Sequence, residues 1–551
     1  MAASTVTAIE KDSRPMIGVS LYAAVLLIAA APDTLVVCPD AWRGAMQEWT
    51  NYRQSQGREI RFVSPAKSAE VTKRRLQHAA AKETPRWIVL VGDAAGEHES
   101  SNGQTTPTWF ADAEVNCRWG SEKTLATDLL YARLDEQGSA LVCLGRIPAD
   151  TADELQAYLS RVIAYEQRTR VDVDEHRINI VAAPGNFSPL LDRVIDATAA
   201  NLLTQLTPPA CELRLTYADW RSPFCPYPPA MPAAVAQGLQ QRSLAWIYLG
   251  HGHRQSLDVL RTPLGYAKLL DNRLAQSLDG GQFPPLAAMI ACYTGAFDGD
   301  QDCLAEELLR QPGGPLTVLA GSRVTMPYGN SVLGLELLTD LFAGDTTTVG
   351  EMLAQAKARA ITSTPASEAT DAYKLRQTIE AIAVGFTADA LDRKQELVEH
   401  VQMYNLLGDP LLRLRRPAPL LLSILPSDSA SGHVRIVGAS PIAGECCLQI
   451  KRRHREAAMI RGNRNEFQLD AETQASYEAA YQEANPPAVV EETFDIDAGS
   501  FTVELPYPPG NLADYVLVGS VAGDKQLAVG HATLKGEPSR MASSESETNR
   551  K

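Results

Sequence analysis

The sequence lacks any excess of positive charge: 51 Lys and Arg stand against 66 Asp and Glu, for a net charge of −15. That is the wrong sign for coating a phosphate backbone and excludes nucleic acid as a principal partner. A C-x-x-C pair is missing too. The nine cysteines (Cys38, Cys117, Cys143, Cys211, Cys225, Cys292, Cys303, Cys446, Cys447) are scattered and odd in number, which argues against a disulfide framework or a zinc ribbon and leaves at least one thiol unpaired. Ile17–Ala31, fifteen residues with only Ser20 and Tyr22 as polar groups, is too short to cross a bilayer comfortably, so nothing firm points to membrane association. Compositional extremes are absent as well: 45% hydrophobic and 21% charged residues exclude a disordered, collagen-like or polytopic membrane chain. What remains is a globular protein whose 551 residues exceed a single core, so about three units are expected.

The first unit to set apart is residues 1–33. Ile17–Ala31 follows Lys11 and Arg14, ends on small residues, and has the length of a signal-peptide hydrophobic region, a reading that implies secretion. Pro32 sits badly for cleavage and favours the alternative, a buried helix or strand in a cytoplasmic protein. From Thr34 to about Arg416 short apolar runs alternate with amphipathic stretches, as in a doubly wound α/β sheet covered on both faces. Predicted strands are Leu35–Val37, Ile60–Val63, Trp87–Gly92, Leu141–Gly145, Ile178–Ala183, Leu213–Thr216, Leu244–Gly250, Leu286–Ala291 and Leu316–Gly321. Predicted helices are Trp42–Gln56, Ala66–Ala81, Ala152–Arg168, Leu190–Leu206, Leu304–Arg310 and Val332–Phe342. Nine strands exceed one ordinary sheet, so the region is divided at the charge-rich interval Arg168–Glu175 into subdomains 34–170 and 171–416. After Pro417-Ala418-Pro419 short β-type segments separated by Pro, Gly and Asp predict a β-sandwich over 417–535, with Ala471–Glu491 as a loop or helical insertion. Residues 536–551 read as a disordered tail.

Two predicted strands end on reactive groups. One runs into Gly250-His251-Gly252 and the other into Ala291-Cys292. Open α/β sheets place their ligand sites at the carboxyl ends of strands, so a His and a Cys ending neighbouring strands would meet there. A thiolate is a nucleophile, and an adjacent imidazole can take its proton and return it to a leaving amine. The backbone N–H groups of Gly252 and Cys292 could face an oxyanion together. The plain alternative for Cys292 is a small buried hydrophobe. Its pairing with His251 at a separation of 41 residues, suited to one strand–helix–strand unit, favours the reactive reading. A metal site on His251 and His253 is a rival, but no further carboxylate or histidine follows before Asp258, and a surface histidine is the alternative for His253.

These blocks, taken with others in order, resemble the gingipain-type members of the caspase–legumain–gingipain group of cysteine peptidases. The resemblance extends through Trp87–Asp93, Thr127-Asp128, Tyr131-Ala132, Gly145-Arg146-Ile147-Pro148, Tyr165-Glu166, Cys303-Leu304-Ala305-Glu306 and Tyr404-Asn405-Leu406-Leu407-Gly408-Asp409-Pro410, covering roughly residues 34–416. It implies caspase-like α/β sheets in two subdomains followed by an immunoglobulin-like sandwich. It also implies an endopeptidase, without a cofactor or metal, acting on protein or peptide substrates, with Cys292 as nucleophile and His251 as general acid/base.

For specificity the resemblance suggests Asp192, ahead of Ala200-Asn201-Leu202-Leu203-Thr204-Gln205, as an acidic base of the S1 pocket and hence a basic P1 preference. Tyr328 stands where an aromatic covers that pocket. Their alternatives are a carboxylate favoured by a helix N-terminus and a packed loop tyrosine. Two departures stand out. The loop after Ile178–Ala183 reads Ala183-Pro184-Gly185-Asn186, without the acidic residue that gingipains bring to the His, and no evident secretory prodomain precedes Thr34. The first motivates the other reading, a catalytically silent binding or scaffold protein on a peptidase fold.

Overall fold

The computed structural model describes residues 32–534 apart from 82, 95, 98–104, 135–141, 170, 187–205, 279–283, 344–345, 363–369, 387–388, 426–431 and 453–463. The apolar runs become β1 (Thr34–Val37), β2 (Ile60–Val63), β3 (Trp87–Val91), β4 (Cys143–Ile147), β5 (Arg177–Ala182), β6 (Glu212–Tyr217), β7 (Ala245–Leu249), β8 (Leu286–Ile290) and β9 (Thr317–Gly321). A tenth strand, β10 (Tyr404–Gly408), joins them in one sheet ordered β2-β1-β3-β4-β10-β9-β8-β7-β5-β6. Alternate side chains go to opposite faces. Val36, Val89 and Val91 enter one core, whereas Leu35, Val37, Ile88 and Leu90 enter another.

The division of the strands into two sheets is therefore corrected: both predicted halves share one. The bridge is β10, antiparallel to β9 over five residue pairs and parallel to β4 through Leu407 and Arg146. Because β1–β4 run with β10 and β5–β9 run against it, the carboxyl ends of the two groups of strands lie at opposite edges of the sheet.

Helices cover both faces. The buried residues are Trp49, Thr50 and Arg53 in α1 (Gln47–Ser55) and Ala69, Thr72 and Leu76 in α2 (Ala69–Ala79). In α3 (Ala152–Gln167) Leu155, Tyr158, Leu159, Val162 and Ile163 form one apolar stripe, and the Thr151 hydroxyl accepts the Glu154 N–H at 3.2 Å as N-cap. Burying each such apolar side chain stabilises the fold by roughly 1.5–3 kcal/mol. Next come α4 (Met231–Gln240), α5 (Leu304–Arg310), α6 (Pro327–Ala343), α7 (Val349–Ile361), α8 (Asp371–Phe386) and α9 (Ala390–Met403). The predicted helix Leu190–Leu206 lies almost wholly outside the described residues.

Several of the quoted sequence blocks turn out to be buried braces. Arg146 is fully buried and donates from Nε and Nη2 to Asp128, each at 2.7 Å, and the Asp128 N–H donates to Asn405 Oδ1 at 3.0 Å. Trp49 Nε1 and Arg53 Nη2 both donate to Asp409 Oδ2 at 2.7 Å, while Arg53 Nη1 reaches Glu166 at 2.8 Å.

Beyond residue 417, a five-stranded sheet, antiparallel except for the parallel edge strand Ala418–Pro419, and a three-stranded antiparallel sheet share one core that includes Val434, Ile436, Leu448, Ile450, Leu505 and Leu517. The insertion forms α10 (Ala471–Ala484), which leaves the sandwich to cover the exposed edge of the large sheet at β6. There the Asn485 amide replaces a missing strand, accepting from Leu215 N–H at 2.8 Å and donating to Leu215 O at 3.0 Å. Tyr481 OH bonds Thr216 at 2.8 Å beside it. Among the described residues no helix is long and apolar enough to cross a membrane.

Candidate active site

Four neighbouring strands run in the same direction in the order β5-β7-β8-β9, so the segments leaving their carboxyl ends lie side by side in that order. They are 183–186, 250–258, 291–303 and 322–326. Read along this edge, the residues are Gly185, His251, Cys292 and Thr325, and all four line a single cavity. The two residues picked from their strand ends are thus brought together.

The connection between them differs from expectation. In place of a strand–helix–strand crossover, the described residues between β7 and β8 form two small β-ribbons, 252–257 and 259–268, and one turn of helix at Asn272–Ala275. The Pro263-Leu264-Gly265 turn explains the second ribbon, since Gly265 has φ 141°. His253 is exposed on the first ribbon, opposite Ser256.

His251 Nε2 is bonded to the main-chain carbonyl of Gly185. A carbonyl only accepts, so Nε2 carries the hydrogen and, in the neutral ring, Nδ1 is the basic nitrogen. The loop that lacks an acidic side chain therefore supplies an acceptor from its backbone. Tyr248, buried at the end of β7, donates to His251 O at 2.7 Å and fixes that residue's main chain.

Cys292 is partly exposed, and its Sγ accepts the Thr325 N–H at 3.2 Å. It lies 3.6 Å from both Thr325 O and Oγ1. The sulfur thus has a backbone donor aimed at it. Asn330 Nδ2 holds Thr325 Oγ1 at 2.9 Å, and Tyr404 OH holds Asn330 Oδ1 at 2.7 Å. Elsewhere burial works against ionisation, pushing the thiols of Cys38, Cys143, Cys211 and Cys446 up to about 12.

Two backbone features fix the turn at Cys292. Tyr293 has φ 57°, a left-handed conformation that costs a non-glycine residue on the order of 1–3 kcal/mol and tends to occur at functional sites. It is held by Tyr293 N–H to Arg323 O at 3.1 Å and Tyr293 OH to Glu122 at 2.7 Å. Gly252 is buried against this turn: a Cβ there would lie 2.6 Å from Cys292 O. That close approach puts the backbone of Gly252 beside Cys292, where both were expected to face an oxyanion.

The two specificity residues fare differently. Asp192 lies outside the described residues. Tyr328, in the first turn of α6, packs with the cluster containing Val332, Leu335 and Ile379, while Pro327, Asn330, Ser331 and Gly334 line the cavity. Tyr328 is not brought to the dyad. The cavity, about 170 Å³, runs from Cys292 along the sheet face between Ile247, Leu249, Ile290 and Leu337, and apart from His251 its described walls carry no ionisable side chain except Cys292 and Tyr217.

A thiol and an imidazole thus share the carboxyl edge of an open α/β sheet, with a main-chain carbonyl behind the ring. The chain belongs to peptidase family C25, whose model matches residues 28–415. Among solved structures it is similar to one described as a protease (14% identity, TM-score 0.51, covering 90% of this chain and 96% of that one). It is also similar to the Arg-specific cysteine proteinase gingipain R (14%, TM-score 0.49, 91% and 98%). The complex of the pro- and mature domains of RgpB from Porphyromonas gingivalis matches at 14%, TM-score 0.48, 91% and 99%. No curated protein sequence matches the chain.

Proposed function

We propose that the protein is a cysteine endopeptidase in which Cys292 is the nucleophile and His251 the general acid/base. The observation that carries this reading is the order Gly185, His251, Cys292, Thr325 along one sheet edge. Nδ1 of His251 takes the thiol proton, and Sγ attacks the scissile carbonyl while the N–H groups of Gly252 and Cys292 receive the developing oxyanion. Collapse breaks the C–N bond, Nδ1–H protonates the leaving amine, and a thioester remains on Sγ. Water, deprotonated by Nδ1, then releases the acid and restores the thiol. Protein or peptide chains are the substrates, and the sandwich beyond 417 is the immunoglobulin-like module that follows the catalytic part.

A basic P1 preference depends on Asp192, because the described cavity walls offer no carboxylate. Labelling by a peptidyl acyloxymethyl ketone that disappears in Cys292→Ala supports the mechanism. Absence of labelling and of cleavage under reducing conditions points instead to a silent scaffold, and chelator-sensitive hydrolysis surviving Cys292→Ala to a metal enzyme. A peptide panel varying P1 among Arg, Lys, Asp and neutral residues tests the preference, which Asp192→Ala should abolish.

A further inference from the structure

A second histidine lies behind the nucleophile, and the proposed mechanism leaves it without a role. His400, 1% exposed in α9, has Nδ1 bonded to Glu396 O at 2.7 Å, so Nδ1 carries the hydrogen and Nε2 is an acceptor. Nε2 accepts the Met326 N–H at 2.8 Å. That N–H belongs to the same peptide unit as Thr325 O, which faces Cys292 Sγ at 3.6 Å. The unit is thus pinned by His400 on one side and presented to the thiol on the other.

The neighbouring groups serve the same segment. Glu396 Oε1 accepts the Gly329 N–H at 2.8 Å, and Gly329 has no side chain where a Cβ would overlap the His400 ring. Glu399 Oε1 and Oε2 accept N–H groups of Glu114, Val115 and Asn116 at 2.8–2.9 Å, holding the strip next to 322–325. Burial keeps the imidazole neutral, drawing its pKa down to about 4. Three side chains within five residues of one helix are therefore used on the floor of the site, more than packing alone requires.

We infer that His400 is a positioning residue for Cys292: its Nε2 lone pair orients the Thr325–Met326 peptide so that the Thr325 N–H stays aimed at the sulfur. Removing the acceptor leaves the Met326 N–H unsatisfied in a buried position, and the peptide turns to find another partner. The inference rests on the peptidase reading only for its kinetic consequence.

The test compares His400→Phe, which fills the volume without an acceptor, with His400→Gln, whose Oε1 falls near the Nε2 position. The first readout is the pH dependence of iodoacetamide alkylation of Cys292, resolved by peptide mass spectrometry. It needs no peptidase activity, so a chain that never cleaves peptides still reports on this contact. His400→Phe should raise the apparent pKa of Cys292 alkylation by about one unit as the sulfur loses its N–H. In an active enzyme kcat/KM should fall roughly 10- to 100-fold, with the loss in kcat. His400→Gln should remain within about threefold of wild type. Gly329→Ala keeps the histidine but displaces its ring, and should reproduce the His400→Phe profile. An unshifted alkylation profile in both His400→Phe and Gly329→Ala, or equal shifts in the Phe and Gln variants, would overturn the inference.

Discussion

Gly252→Ala tests the apposition of the segments that carry His251 and Cys292 most directly. The new Cβ would lie 2.6 Å from Cys292 O, 2.6 Å from Thr294 Cγ2 and 3.0 Å from Ala291 Cβ. Ordinary contacts of this kind need about 3.5 Å, so the clash demands a separation of roughly 0.9 Å. All three neighbours belong to the Cys292 turn, and none is the end of a long flexible side chain. The ribbon at 252–257, and His251 which leads into it, must therefore move away from the thiol. A misplacement near 1 Å costs about 100-fold in rate, equivalent to roughly 2.7 kcal/mol in the barrier. Overpacking should also cost about 1–3 kcal/mol of stability, which leaves the protein folded. Alanine keeps the backbone N–H at position 252, so the loss measured is one of geometry and not of an oxyanion donor. The assay is the second-order rate of labelling by an acyloxymethyl ketone, with circular dichroism confirming the fold. A folded Gly252→Ala protein labelled within about threefold of wild type would refute the reasoning.

Tyr293→Phe removes the hydroxyl bond to Glu122 that restrains a strained residue, and should lower the labelling rate by roughly 3- to 10-fold with little change in Tm; unchanged labelling would show the strain is held by other contacts. Lys357 is buried, and desolvation draws its amine from 10.5 down to about 7. Between those pH values the unfolded chain binds a proton that the folded chain does not, so stability should rise with pH across the window; Lys357→Met should flatten that slope and add about 2–4 kcal/mol at pH 7 in urea melts, and an unaltered slope would contradict the assignment. Asn485→Ala leaves Leu215 N–H and O at the edge of β6 without their partner, which should cost about 1–3 kcal/mol and increase proteolytic nicking around α10; equal urea midpoints would show that water replaces the amide.

What was legible in the sequence followed from local pattern. Continuous apolar runs marked the nine strands because both faces are buried, and the residues at their ends pointed to His251 and Cys292. The tenth strand was missed because Asn405 cuts the apolar run of Tyr404–Gly408 down to Leu406-Leu407, its side chain being used in the Asp128 brace; its place between β4 and β9 is a long-range fact. Tyr328 illustrates a different limit. Once Pro327 starts a helix, the 3.6-residue period sends 327, 331 and 334 to the cavity and 328, 332 and 335 away from it. Glu396, Glu399 and His400 had no distinguishing signal, since a charged stripe on a helix ordinarily faces water.

The loop 183–186, without an acidic side chain, shows what residue identity alone leaves out. An acidic side chain beside an imidazole does two things: it selects the tautomer and it stabilises the imidazolium that forms when the thiol ionises. The Gly185 carbonyl performs the first fully and the second only through its dipole, with no net charge. Any peptide can present a carbonyl, so no sequence pattern reports it; the strand order does, because β5 is the neighbour of β7 on the side away from β8. The loop 183–186, which motivated a silent scaffold by lacking an acidic side chain, thus still brings His251 an orienting group. The carbonyl bears on the ring alone, whereas on the thiol side it is the Thr325 N–H that points at Sγ. In the proposed mechanism the sulfur's own hydrogen bonds, and the residues that aim them, should accordingly matter alongside the acceptor behind the histidine.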